Sequence, residues 1–283
     1  MKKSRASFLK RQPQVFRSLT GITTEKFNML YNQLLPIYNT TETKRFNNKT
    51  RQRSIGGGRK KELNLEDQLL LTLIYYRHYV SQSFLGLIFN LHNSNVSRRI
   101  RYIEPQLAKI FKIPTRKIET ELTEEEITAY FIDATEQQIN RPKKNQKHYY
   151  SGKKKKHTLK NQIVIDTNSK IRSVSKSVEG KKHDKKLYDE SRVYTKEKSN
   201  IKGDLGYYGT DRITVPNKKP KKIELTKEEI DFNKQFSKER IKVEHVFGKM
   251  KVFQILSQRF RNPRAKHALI FKNIAGLYNL IYA

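Results

Sequence analysis

An unbroken apolar run that ends in a carboxylate constrains this chain more than any other feature of its sequence. Residues 129–132 read Ala-Tyr-Phe-Ile and are followed directly by Asp133. An apolar run without alternation is typical of a strand that is buried on both faces. A carboxylate at the end of such a strand must open into a cleft or bind a cation, because an isolated charge is costly to bury. The run therefore predicts a central strand with Asp133 at its end.

Two further acids stand in comparable settings. Asp204 follows a short apolar segment and lies between two glycines, which allow a backbone to approach a ligand closely. Glu244 lies in a helical pattern at the margin of the apolar stripe, on the same side as Arg240. A plain Gly-Asp turn would explain Asp204 equally well, and a surface pair four residues apart would explain Glu244. Taken with Asp133, the two acids indicate a candidate metal site.

The charge of the chain indicates what such a site would act on. The sequence has 60 Lys and Arg against 27 Asp and Glu, a formal net charge of +33. A field of this sign attracts polyanions, so nucleic acid is the expected partner. The absence of cysteine excludes thiolate metal sites, and the seven histidines lack the spacing of zinc ligands. Since Mg²⁺ prefers oxygen ligands, acids grouped in a basic chain predict a metal site that works on phosphate.

The apolar segments are too short for a membrane protein. The longest one, residues 69–76, contains Thr72, and the charged N-terminus is not followed by an apolar segment. We therefore expect a cytoplasmic protein without membrane contact.

Residues 1–62 are predicted to form a basic N-terminal arm with a short helix. Apolar residues at helical spacing indicate a helix between Thr24 and Leu35, and Pro36 should end it. From Asn39 to Lys61 the sequence is polar and basic and contains three consecutive glycines at 56–58. This composition is typical of a linker or flexible arm.

Residues 63–118 are predicted to form a helix-turn-helix domain. A helix at 81–90 is separated by a short polar turn from another that begins near Ser94 or Asn95, both good N-cap residues. Pro105 should end this helix or open a further turn. The second helix has an apolar side and a basic side, and the basic side consists of Arg98, Arg99 and Arg101.

An ordinary helical hairpin with a solvated basic face would give the same pattern. Ser97 and Asn95 lie near the start of the second helix, where a recognition helix meets base edges, and they favour DNA binding.

Residues 125–283 are predicted to form an α/β domain with a mixed central sheet. The acidic segment 119–126 marks its boundary. Asp166 also ends an apolar run, but turn residues follow it at once, so capping explains it. His183 and Asp184 could form a further site pair, although a helix cap is the simpler interpretation. Patterns predict strands near 130–133, 163–166, 171–178 and before 204, and helices at 182–193, 226–256 and 264–282.

Several short motifs follow one another in a specific order. They are Asp133-Ala-Thr-Glu136, Tyr149-Tyr-Ser-Gly-Lys-Lys-Lys with His157-Thr158, Gly180 with His183-Asp184, Asp204-Leu-Gly-Tyr-Tyr-Gly209, and Arg240, Glu244, Gly248 and Lys251. In this order they resemble the DDE transposases of bacterial insertion sequences related to the Harbinger elements, over roughly residues 60–283. The separations of 71 residues between the two aspartates and 40 from there to the glutamate suit that family.

The resemblance implies an RNase H-like fold after the helix-turn-helix, with Asp133 and Asp204 on strands and Glu244 on a late helix. These acids would hold two Mg²⁺ ions, with Mn²⁺ as a substitute. The implied reaction is cleavage at the ends of a mobile element and strand transfer into target DNA. The implied partners are double-stranded DNA in the nucleoid and a homodimer or larger assembly, since two ends must be joined. The phosphate backbone is expected to contact Lys153, Lys154, Lys155, Lys156, Arg240 and Lys251.

Two other functions remain open at this point. A domesticated relative could bind DNA, or cut it, without strand transfer, and nothing in the sequence separates it from a transposase. A structural protein that coats nucleic acid is the second alternative, and the intact acids argue against it.

Overall fold

The chain folds into two compact units. The computed structural model describes residues 4–47, 62–116, 118, 129–191, 193, 200–220 and 224–283. Met1–Lys112 and Phe253–Ile255 belong to the helical unit, and Ile113–Val252 and Leu256–Ala283 to the sheet unit. The three glycines expected in a flexible arm and the acidic segment 119–126 lie outside the described residues.

The helical unit is organised around one helix that is buried on nearly every side. This is α4, whose apolar run packs among the other helices, with residues 69–73 and 75–76 almost inaccessible to water. The side chain of Asn64 caps it by accepting a hydrogen bond from the backbone N–H of Asp67 at 2.7 Å. The helices are α1 (Arg5–Leu9), α2 (Pro13–Thr20), α3 (Thr24–Phe46), α4 (Leu65–His78), α5 (Gln82–Phe89) and α6 (Asn93–Phe111).

Helix α3 does not end at Pro36, so the short predicted helix and the arm from Asn39 are wrong as far as Phe46. A proline inside a helix costs ~3 kcal/mol because it removes one backbone hydrogen bond. The second half of α3 offsets this cost by packing on α6. The ring of Tyr38 lies edge-on to that of Tyr102 at 5.8 Å, and the Tyr102 hydroxyl donates to Glu42, which is buried.

Helices α5 and α6 form the predicted helix-turn-helix. Ser81 caps the start of α5, and Asn90 ends it in the left-handed conformation with φ of 52°. Helix α6 begins at Asn93, slightly earlier than predicted, with His92 as its N-cap. It continues through Pro105, because Ile103 and Leu107 on either side of the proline are fully buried.

The sheet unit contains a mixed sheet. Its strands are β1 (Tyr130–Gln138), β2 (Tyr150–Ser151), β3 (Lys156–Asp166), β4 (Ile171–Val174), β5 (Val178–Glu179), β6 (Ile201–Lys202) and β7 (Ile213–Thr214). The order across the sheet is β2-β3-β1-β6-β7, with β4 and β5 also paired to β3. Strand β1 is antiparallel to β3 and parallel to β6, which is parallel to β7.

Helices cover both faces of this sheet. They are α7 (Gln146–Tyr149), α8 (Asp184–Ser191), α9 (Lys227–Lys251) and α11 (His267–Tyr282). The short helix α10 (Gln254–Ser257) begins with residues of the helical unit and ends with residues of the sheet unit. Tyr188 of α8 packs in one cluster with Tyr130 and Ile132 of β1. Phe131 points to the opposite face, where Lys242 of α9 lies over its ring. No described helix is long and apolar enough to cross a membrane.

Asp133 lies within β1 and not at its end, which corrects the prediction from the apolar run. The strand continues for five residues because β3 is long enough to pair with it as far as Gln138 and Thr158. Polar side chains in this extension are also hydrogen-bonded. Glu136 accepts from the hydroxyl of Thr158 on β3 at 2.8 Å, and Gln137 donates to the backbone carbonyl of Gln258 at 2.7 Å. The capping role predicted for Asp166 is confirmed, since its carboxylate accepts from the backbone N–H groups of residues 168 and 170.

Candidate active site

A single cavity of about 1230 Å³ in the sheet unit collects the acids singled out in the sequence. Asp133, Asp204 and Glu244 all line it, although they come from β1, from the residues after β6 and from α9. Two further carboxylates, those of Glu136 and Asp184, line the same cavity. The lining also includes many Lys and Arg side chains, so the acids lie within a basic surround.

Asp133 is partly buried, as Asp204 is, whereas Glu244 is exposed. Its side chain is 19% exposed and its Oδ2 lies 3.6 Å from Nη2 of Arg240. Burial raises the pKa of Asp133 to about 6, and the charges of Asp204 and Asp184 act in the same direction. A hydrogen bond from the backbone N–H of Ala134 and the Arg240 guanidinium oppose this rise. The carboxylate therefore carries a charge that its protein neighbours compensate only in part.

Asp204 caps a short 3₁₀ turn formed by Leu205–Tyr207. Its Oδ1 accepts a hydrogen bond from the backbone N–H of Gly206 at 2.9 Å. Glycine is required on either side of Asp204 for two different structural reasons. A Cβ on Gly203 would lie 2.8 Å from Ile213 in the core, so that glycine serves packing and not ligand approach. A Cβ on Gly206 would lie 2.9 Å from Oδ1 of Asp204, so of the two glycines only Gly206 makes room for a residue of the site.

Glu244 projects from α9 one turn after Arg240 and is exposed to solvent at the cavity. A Cβ on Gly248, one turn further on, would have no heavy atom within 4 Å, so the rim of the cavity is open there. Glu239 of the same helix does not line the cavity in the part of the chain described. Its carboxylate accepts a hydrogen bond from the ammonium of Lys202, and this bond lowers its pKa.

Three further residues of the cavity are not among the predicted site residues. The sequence allows Asp184 to form a site pair with His183, with a helix cap as the simpler interpretation, and Glu136 appears only as part of a motif. Lys160 gave no signal, because it follows a run of lysines and resembles a surface residue. In the structure its side chain is 9% exposed, and its ammonium lies 2.9 Å from Asp184 and 3.6 Å from Glu136.

The donor atoms of the cavity fit a hard divalent cation. Carboxylate oxygens are the ligands that Mg²⁺ and Mn²⁺ prefer, and a cation here would offset the incompletely compensated charge of Asp133. Among the described residues, no group of three acidic or imidazole side chains is already arranged around one metal position.

Basic residues also line the cavity. Lys153, Lys154 and Lys155 form the turn between β2 and β3, and Lys156 begins β3; all four are exposed. The first two line the cavity together with Lys251 of α9. Partial burial and the neighbouring charge of Lys154 lower the pKa of Lys251. Such crowding of cations is unfavourable unless an anion binds between them.

The three arginines of the helix-turn-helix lie in the helical unit. Arg98 and Arg101 are exposed and Arg99 is half-buried, while the opposite side of α6 is buried through Val96 and Ile100. The guanidinium of Arg98 donates to Asn95 Oδ1 at 3.0 Å, one turn earlier on the helix. The division into a packed face and a basic face follows the sequence pattern.

Comparison with protein families identifies the sheet unit. The model of the DDE superfamily endonucleases matches residues 132–279, just over half of the chain. The chain belongs to this family. A second model, the helix-turn-helix of the DDE superfamily endonucleases, matches residues 61–113. The predicted fold class is thereby confirmed, with a helix-turn-helix region preceding the mixed sheet of the DDE endonuclease domain.

Two relatives of this DDE superfamily endonuclease carry descriptive names. A Microchaete diplosiphon protein named "Probable transposase for insertion sequence element IS702" is 33% identical over 270 residues, 93% of each chain. A Streptomyces albus G protein named "Putative transposase for insertion sequence element IS112" is 26% identical over 226 residues, 79% of this chain and 82% of its own. No solved structure matches the chain. Family membership implies a divalent-metal-dependent nuclease that binds DNA, whereas the narrower likeness to Harbinger elements stays a prediction.

Proposed function

We infer that this endonuclease is a DNA transposase that cuts at the ends of an insertion sequence and joins them to target DNA. The observation that carries this conclusion is the shared cavity. Asp133, Asp204 and Glu244 are far apart in sequence, and yet they line one basic cavity inside the part of the chain that matches the DDE family. The names of the two relatives support the same function.

The same three carboxylates would hold Mg²⁺, with Mn²⁺ as a substitute, and we propose that two ions bind. Such ions, when bound, supply activation of an attacking oxygen and stabilisation of the leaving oxygen at a phosphodiester. The protein contributes the positions of the acids. Asp133 is fixed by pairing within the sheet, Asp204 by its bond to the backbone of Gly206, and Glu244 by α9.

The basic residues around the cavity would bind the DNA backbone. Lys251 and the lysines at 153–156 are exposed cations that repel one another, so phosphates are their natural counterions. Arg240 would hold a phosphate close to Asp133, which its guanidinium already approaches. The arginines of α6, in the helical unit, would contact the DNA at the ends of the insertion sequence. The contacts around the cavity would orient a strand so that one phosphodiester meets the acids.

Joining two ends requires two active sites, so we propose a homodimer or larger assembly that works on the bacterial nucleoid in the cytoplasm. The alternative is a relative that binds DNA without cutting or joining it. The two functions differ in whether the purified protein nicks DNA.

The decisive experiment replaces each acid by its amide. Asp133→Asn, Asp204→Asn and Glu244→Gln keep the size of the side chain and remove the charge that attracts Mg²⁺. Each variant should lose metal-dependent nicking of a labelled duplex made from the DNA that flanks the gene. Each should still bind that duplex in a gel shift, because binding depends on basic residues.

Glu239→Gln is the matched control, since Glu239 lies on the same helix but is paired with Lys202 and does not line the cavity. It should retain most of the nicking activity. Normal cutting by Glu244→Gln would show that the assignment of the three acids is wrong. A wild-type protein that binds the duplex but never nicks it would establish the DNA-binding alternative.

A further inference from the structure

One buried lysine organises the acidic side of the cavity. The ammonium of Lys160, on β3, donates hydrogen bonds to the backbone carbonyl of Lys182 at 2.7 Å and to Oδ1 of Asp184 at 2.9 Å. Oε1 of Glu136 lies 3.6 Å away. A buried ammonium is costly unless its charge and its donors are satisfied, and here two carboxylates and one carbonyl satisfy it. The lysine is thus part of a fixed network.

The segment that carries Asp184 is docked on β3 by a contact that only glycine permits. The backbone N–H of Gly180 donates to the carbonyl of Thr158 at 3.0 Å, and a Cβ on Gly180 would lie 1.8 Å from Oγ1 of Thr158. The same hydroxyl donates to Oε2 of Glu136 at 2.8 Å. Gly180 and Lys160 therefore anchor this segment at two points, and Asp184 begins α8 directly after it.

These anchors place Asp184 next to Asp204. Oδ2 of Asp184 lies 3.0 Å from the position of a Cβ on Gly206, and Oδ1 of Asp204 lies 2.9 Å from the same point. The two oxygens can therefore be no more than 5.9 Å apart. Two carboxylates at this separation repel one another in a partly buried cavity, and a cation between them would remove the repulsion.

We propose that Asp184 is a fourth carboxylate ligand of the divalent cations and that Lys160 positions it. The proposal rests on the proposed function of the cavity. Lys160 donates its hydrogen bond to Oδ1 of Asp184. The other oxygen, Oδ2, lies towards Asp204 and is therefore the one available to bind a metal. A bond to one oxygen of a ligating carboxylate fixes its orientation, and loss of such an outer partner weakens metal binding.

The experiment measures binding of Mn²⁺ alone to the full-length protein, from the electron paramagnetic resonance signal of the free ion. Asp184→Asn should weaken binding at least ~10-fold, the order expected for a lost ligand or its outer partner. Asp189→Asn is the matched control, because Asp189 lies on the same helix and is exposed. It should leave the affinity unchanged. Thermal unfolding in EDTA shows that each variant is folded.

Lys160→Met, alone and combined with Asp184→Asn, tests the positioning role. The single variant should weaken Mn²⁺ binding, and unchanged binding by a folded Lys160→Met protein would overturn the role. If Lys160 acts through Asp184, the double variant should bind Mn²⁺ no more weakly than Asp184→Asn alone. A further loss in the double variant would mean that Lys160 acts on the site in another way, and the positioning role would be overturned. The Asp184→Asn result can be interpreted even if the Lys160→Met variants do not fold. Asp184→Asn itself should fold, because an asparagine can still accept the hydrogen bond from Lys160.

Asp133→Asn in the same titration separates this proposal from the proposed function. If wild-type protein binds no Mn²⁺, or if Asp133→Asn binds it as tightly as wild type, the proposed metal site itself fails. If Asp133→Asn loses Mn²⁺ while a folded Asp184→Asn retains the full wild-type affinity, the metal site stands and only the fourth carboxylate is refuted.

Discussion

Asp133 should destabilise the metal-free protein, so that Asp133→Asn is more stable than wild type although it is inactive. Burial raises the pKa of this carboxyl from 3.8 to about 6. At ~1.4 kcal/mol for each pKa unit, the folded state at neutral pH loses roughly 3 kcal/mol by holding the ionised form. The pKa of about 6 already includes the opposing attraction of Arg240. The amide removes this cost and can still accept the bond from the Ala134 N–H at 2.7 Å, but its own NH₂ group must be desolvated in the same partly buried place. We therefore expect a net gain of about 2 kcal/mol.

The gain should depend on pH in one direction. Below pH 3.8 the carboxyl is protonated in both the folded and the unfolded chain, so the variant has no advantage. Between 3.8 and about 6 the unfolded chain releases the proton first, and the wild-type free energy of unfolding falls as the pH rises. Above about 6 the whole difference should be present.

Thermal unfolding of the sheet unit in EDTA provides the measurement. A gain of about 2 kcal/mol corresponds to an increase of roughly 4–8 °C in Tm at pH 7.5 for a domain of this size, and to none at pH 3.5. Added Mg²⁺ should reduce the difference in Tm between Asp133→Asn and wild type, because it stabilises only the wild type. Asp189→Asn serves as the control for loss of an exposed charge. A variant less stable than wild type at pH 7.5 in EDTA would refute the reasoning.

Three further outcomes are expected. Replacing Arg98, Arg99 and Arg101 singly with Ala should weaken binding to end DNA by ~1–3 kcal/mol for a base contact, with reduced discrimination against scrambled DNA; unchanged binding of both DNAs would remove α6 from the interface. Replacing the four lysines at 153–156 with Ala should flatten the salt dependence of DNA binding, because fewer counterions are released; an identical slope would show that the run contacts no phosphate. Burial lowers the pKa of His267 to about 4, so the wild-type free energy of unfolding should lose roughly 3 kcal/mol as pH falls from 6.5 to 4. This stability is lost as the pH falls, whereas the stability lost through Asp133 is lost as the pH rises. A His267→Gln variant whose free energy of unfolding has the same pH profile as wild type would contradict the prediction.

The sequence predicted those features whose cause is local. The apolar run at 129–132 identified the buried strand, and the alternation of apolar and basic residues identified the two faces of α6. The extent of β1 beyond Asp133 could not be predicted, because it depends on the length of β3, which pairs with it from twenty or more residues away. The passage of α3 through Pro36 has the same kind of cause, since Tyr102 comes from another helix.

The candidate site shows the same limit. Asp133, Asp204 and Glu244 could be chosen because acids stand out in a basic chain and because their order resembles a family. Lys160 could not be chosen, since one more lysine near a run of lysines carries no information. Its partners lie 22 and 24 residues away in the chain, and its significance comes only from burial among acids that the fold brings to it.

The helical unit is built from two separate segments of the chain, and this limits how its N-terminal segment could be exchanged in evolution. Phe253–Ile255 belong to that unit although they follow α9 near the end of the chain. Phe253 is 2% exposed, and its ring lies 3.0 Å from where a Cβ on Gly21 would be, at a residue whose φ is +81°. A recombination event that replaced residues 1–112 as one block would bring in a new partner for Phe253 while keeping the old phenylalanine. New DNA specificities should therefore arise more readily by substitution on the exposed side of α6 than by replacement of the whole N-terminal segment.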